Sequence, residues 1–108
     1  MKVKVDFSVS TKNGEAIGSV DGELELTTTP LLGDTISMIS TQNGIAAPLG
    51  HDFGGQLKVI DRIISPNQDE YGLTIVLSDL IVSTKDQALA FMDYFKSGYG
   101  LHANLYTE

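Results

Sequence analysis

The sequence contains no cysteine, which excludes disulfides, thiol chemistry and cysteine-ligated zinc. That absence fits a reducing compartment, and a cytoplasmic protein is the expectation. Long apolar runs are missing as well. Nothing approaches the ~20 residues that a membrane-crossing helix needs, so no membrane partner is expected. Met1 to Ser10 alternates apolar and polar residues, has no continuous apolar stretch, and reads as a first strand instead of a secretory signal. Basic residues are scarce: Lys+Arg 7 stand against Asp+Glu 14, for a formal net charge of −7. Nucleic-acid binding draws most of its affinity from cations meeting phosphates, and here the field has the wrong sign. The acidity suits solubility, or a basic protein partner.

What is present fits one ordinary globular unit. The chain has 108 residues, of which 42% are hydrophobic and 19% charged, so a single domain over 1–108 is expected. The first strand, about Lys2 to Ser10, places Val3, Val5, Phe7 and Val9 on one face. Asn13-Gly14 is a strong hairpin signal, because both residues tolerate the positive φ of a two-residue type I′ turn. Such a turn puts Phe7 opposite Val20 and Val3 opposite Leu24 on the second strand, about Gly18 to Thr28. Lys4 then meets Glu23 and Lys2 meets Glu25, and Asp6 falls against Asp21. A third strand is expected at about Asp34 to Ser40, a fourth at about Leu57 to Ser65 and a fifth at about Tyr71 to Val82. The last two form a second hairpin across a turn-rich linker.

Near the C-terminus a helix is well signalled. Thr84 and Gln87 have the spacing of a capping box, and Ala88, Leu89, Met92 and Phe95 fall at helical intervals. Gly98 supplies a stop, and a short strand follows over Leu101 to Tyr106. The predicted fold is α+β, with a curved antiparallel sheet or partial β-barrel of five to six strands and one helix at about 84–97. The element order is β-β-β-β-β-α-β.

Chemistry is harder to find. His51 and Asp52 sit in a glycine-rich stretch, Thr41 to Gln56, without clear periodicity. Neither of the two histidines has the spacing of a metal site, and no cofactor or metal is expected. Gly50 to Gly55 has glycines but no Walker lysine and no following helix, so it is not a phosphate loop. Asp79 shares a strand face with Leu73, Ile75, Leu77 and Ile81, where a carboxylate requires a partner, and Arg62 on the neighbouring strand is the natural one. Phe91 and Tyr94 lie around the helix from Phe95, and Tyr99 lies just after it, which points either to a wide core face or to a partner or homodimer interface. The favoured reading is a small acidic non-enzymatic interaction module: an adaptor, an inhibitor or immunity-type partner, or a phage or mobile-element accessory protein. One alternative is a small-ligand binder or enzyme with a cavity under the 41–56 loop, using His51, Asp52, Asp79 and Arg62. Another is a homo-oligomeric structural subunit.

Overall fold

The structure is a computed structural model describing residues 1–48, 53–68 and 72–106. Seven strands and one helix follow in the order β1 (Lys2–Thr11), β2 (Ala16–Glu25), β3 (Thr35–Ser37), β4 (Gln56–Ile64), β5 (Leu73–Leu77), β6 (Leu80–Val82), α1 (Lys85–Ser97) and β7 (His102–Leu105). The sheet runs β3-β4-β5-β1-β2-β7, with β6 also beside β1. It stays open, with β3 and β7 at its two edges, and α1 covers one face. The α+β architecture with one C-terminal-region helix is as read from the sequence. The sheet, however, is mixed, because β1 pairs in parallel with both β5 and β6.

The first hairpin has the predicted register for a different reason. Phe7 faces Val20, Val3 faces Leu24, and Asp6 faces Asp21. Yet Asn13 does not take positive φ. Gly14 N–H donates to Thr11 C=O and Thr11 N–H to Glu15 C=O, both at 2.9 Å, which closes a three-residue loop with Gly14 at φ 89. Such a loop shifts the pairing by one residue relative to a two-residue turn. A bulge between Val9 and Ser10 on one side and Ala16 to Gly18 on the other shifts it back. The two offsets cancel, and the bulge also turns Ile17 into the core beside Gly18. Glu25 takes the N-terminal ammonium as its ionic neighbour at 3.7 Å.

A second one-residue offset divides the expected fifth strand. Val5 pairs with Ile75, but Val9 pairs with Leu80, one residue further along than a continuous strand allows. Ser78 and Asp79 take up the extra residue, and Ser78 stays bonded to β4 through Lys58. The phase therefore flips: Ile75 and Leu77 point inward before the break, and Leu80 and Val82 after it. Asp79 and Ile81, expected inward, are exposed.

The inner face carries Val3, Val5, Phe7, Val9, Val20, Ile75 and Leu77, all buried beneath α1. Phe95 meets Phe7 edge-on at a centroid distance of 5.3 Å, and Phe53 meets Phe91 in the same way at 5.3 Å. Thr84 caps α1 by accepting from Gln87 N–H at 3.2 Å, while the Gln87 side chain accepts from Ser83 N–H at 3.1 Å. Gly98 keeps right-handed helical angles, so the chain reverses at Gly100 instead, with φ 72. Leu89, placed in the core by helical spacing, lies at the exposed margin.

Gly18 sits where β2, β7 and α1 converge. A Cβ there would lie 2.3 Å from the Asn104 carbonyl oxygen and 2.7 Å from the Met92 methyl. Gly18→Ala is expected to destabilise the domain by about 2–3 kcal/mol, the upper part of the overpacking range, since the backbone of β7 must move. Urea unfolding of the purified variant checks this, and an unchanged midpoint contradicts the close approach.

Candidate functional site

The sequence-predicted site residues do not come together. His51 and Asp52 lie outside the described residues. Arg62 faces Ile75 across β4 and β5, whereas Asp79 lies four residues beyond Ile75, past the end of β5. At ~3.3 Å per residue that separates them by about 13 Å along the sheet, and no ion pair joins them. Phe91 and Tyr94, considered for an interface, are buried in the core of the single chain, and Tyr99 is half-buried.

The helix end fixes the start of the 41–56 stretch. Gln42 and Ile45 exchange backbone hydrogen bonds in both directions, at 2.9 and 2.8 Å. Between them Asn43 and Gly44 both take positive φ, 50 and 76. The type I′ turn that an Asn-Gly pair favours is thus at Asn43-Gly44, not at Asn13-Gly14. Its Asn43 amide donates to the Gly98 carbonyl at 2.9 Å, and the Tyr94 hydroxyl donates to the Ser40 carbonyl. Burial raises the Tyr94 pKa above the usual tyrosine range, and the neighbouring Tyr99 hydroxyl adds to the shift.

Beside this anchor lies a cavity of about 580 Å³. Its apolar walls are Leu24, Leu26, Ile36 and Met38, and Tyr99 closes one side. The Tyr99 hydroxyl is out of contact with solvent and lacks a hydrogen bond of good geometry. On the outer face of the sheet a shallower depression of about 620 Å³ is lined by Lys4, Asp6, Asp21, Glu23, Thr74 and His102, among others. Asp21 stands between Asp6 on β1 and His102 on β7, but no group of three His, Asp or Glu among the described residues is arranged to hold a metal ion.

The second half of β4 is different in kind. β3 covers only Gln56 to Lys58, and Gly33 and Asp34 extend the cover to Val59. Beyond Val59 no described residue pairs with that side of the strand. A bulge at Ile60 lies at this boundary. Ser65 N–H donates to Gly72 C=O at 2.8 Å, so by antiparallel alternation Arg62 and Ile64 turn their N–H and C=O to the open edge. The Asp61 side chain accepts from the Arg62 N–H at 2.8 Å and occupies the place of a missing strand. Three isoleucines flank it with large exposure: Ile60 at 57%, Ile63 at 48% and Ile64 at 68%. The Arg62 side chain is half-buried on the inner face beside Ile75, its Nε shielded from water without a hydrogen-bond partner.

Tyr94→Phe removes the bond to Ser40 and is expected to cost about 1 kcal/mol. A raised pKa in the folded state means stability present below the unfolded tyrosine pKa of ~10 and lost as pH rises above it. The wild type is therefore expected to lose stability more steeply than Tyr94→Phe above about pH 10. Denaturant titrations from pH 8 to 11 check this, and parallel pH profiles for the two proteins contradict the assignment. Compared with known proteins, the chain matches no family model and has no significant similarity to a curated protein or to a solved structure.

Proposed function

We propose that this domain is a non-enzymatic protein-interaction module whose contact surface is the open edge of β4. The observation that carries this reading is the run Ile60-Asp61-Arg62-Ile63-Ile64. It combines a strand edge that no described residue pairs, three exposed isoleucines and an arginine whose Nε has no acceptor. Soluble domains usually blunt a free edge with charges, prolines or a covering segment, because it templates pairing with another chain. Here the bulge at Ile60 and the Asp61 carboxylate guard only the start of the open stretch, while Ile63 and Ile64 stay exposed beyond them, which favours an edge kept for use. Addition of a strand to such an edge draws affinity from main-chain hydrogen bonds and specificity from alternate side chains.

A second reading, binding of a small ligand, is favoured by the cavity beside Tyr99. Its volume lies within the usual range of ligand pockets, and its lining sets apolar walls beside polar side chains, among them Lys2, Glu23, Glu25 and Gln42. It ranks second because the open edge combines backbone, apolar and ionic features at one place.

Ile60 and Ile63 do not contribute to the buried core, so Ile60→Lys with Ile63→Lys is expected to leave the melting temperature within a few degrees of wild type. The same pair is expected to abolish capture of host proteins that the wild type retains on affinity resin. Retention of the same partners by the double variant removes the edge from the interaction surface.

A further inference from the structure

Resting on that reading of the β4 edge, we infer that the segment it takes up is an extended, antiparallel strand carrying a carboxylate opposite Arg62, with apolar residues opposite Ile63 and Ile64. Three observations define this partner. The first is the backbone. Arg62 and Ile64 present N–H and C=O outward, a spacing that matches the alternate bonding residues of an added strand, and of the two directions the antiparallel ladder is the more stable per residue. The Asp61 carboxylate now on the Arg62 N–H at 2.8 Å is a placeholder that an incoming carbonyl displaces.

The second is charge. Arg62 is the only arginine in the chain. Among the described residues its guanidinium forms no ion pair, and its Nε is shielded from water with no acceptor. A fork of donors in that state is complementary to a carboxylate, which takes two parallel hydrogen bonds from it. The net charge of −7 opposes an acidic partner at long range, but at physiological salt that repulsion is screened beyond ~8 Å. At contact the local cation dominates.

The third is the alternation of faces. Arg62 and Ile64 pair with Ile75 and Leu73 on the inner side of the sheet, and Ile63 pairs with Thr74 on the outer side. An antiparallel segment running from Ile64 towards Arg62 therefore reads apolar, apolar, acidic from its own N-terminus. The first and third of these side chains fall on the inner face and the second on the outer.

The test uses the full chain, ¹⁵N-labelled, titrated with the acetylated and amidated peptide Thr-Val-Val-Glu-Thr-Thr and with its Glu→Gln counterpart. The amide resonances of Ile60 to Ser65 are expected to shift with the acidic peptide. The Gln peptide is expected to bind about tenfold more weakly, the loss of one charge-assisted hydrogen bond. In Arg62→Gln the two peptides are expected to bind alike, and Arg62→Lys, which keeps the charge, is expected to fall between. Equal binding of both peptides to wild type, with β4 shifting, overturns the acidic partner and leaves the interaction edge standing. If neither peptide perturbs β4, both readings fall. If β4 amides shift with protein concentration alone, a second copy of the chain occupies the edge and the inference is overturned.

Discussion

The contact between Phe7 on β1 and Phe95 on α1 is the constraint on which the rest of the domain depends. Among the described residues β1 is the one strand bonded to three others, β2, β5 and β6, and Phe7 lies in its second half, near the junction of β5 and β6. Phe95 meets it edge-on, and Phe91, Tyr94 and Tyr99 extend the ring cluster from there. Edge-to-face packing has a preferred geometry that simple apolar contact lacks. It therefore fixes where along β1 the helix sits. That placement decides where the helix ends, and the helix end in turn holds Ser40 and Asn43.

One-residue irregularities then redirect side chains locally. The bulge at Ile17 keeps the first hairpin in register and adds Ile17 to the core. The extra residue at Ser78-Asp79 turns a carboxylate outward and brings Leu80 and Val82 inward. The bulge at Ile60 lies where β3 and its preceding turn cease to cover β4. Because side chains alternate with period two, one inserted residue exchanges the faces of everything after it. A strand that would have buried Asp79 carries instead an uninterrupted apolar inner face. The open stretch of β4 follows directly on such an insertion.

Much of the fold was legible. Strong alternation in Val3 to Val9, and apolar against apolar in the hairpin, indicated β1 and β2, and the Thr84-Gln87 spacing located the start of α1. The turn differs from expectation: an Asn-Gly pair marks a tight turn but not its length, and the second such pair, Asn43-Gly44, is the one with both φ values positive. Less of the candidate site could be read. The sequence marks Arg62 only as a partner for Asp79, which a continuous fifth strand would turn inward. Ile60, Ile63 and Ile64 fall in the predicted fourth strand with nothing to show that its edge is open. The repeated isoleucines were the available signal, yet composition cannot separate a covered strand from an open one.

The sequence by itself determined the local elements and one long-range register, since alternation, capping and turn chemistry act over a few residues and leave direct marks in the chain. It also determined the acidity and the lack of thiol chemistry. Only the tertiary structure decided that β1 has parallel neighbours, that Phe91 and Tyr94 are core residues, and that β4 outruns the segment covering it. Those outcomes depend on which distant elements meet, and on offsets of a single residue within strands. Pairing of that kind is set by the fit of the whole sheet to the helix. The shielded Arg62 Nε beside an open edge follows from that fit, and no local pattern encodes it.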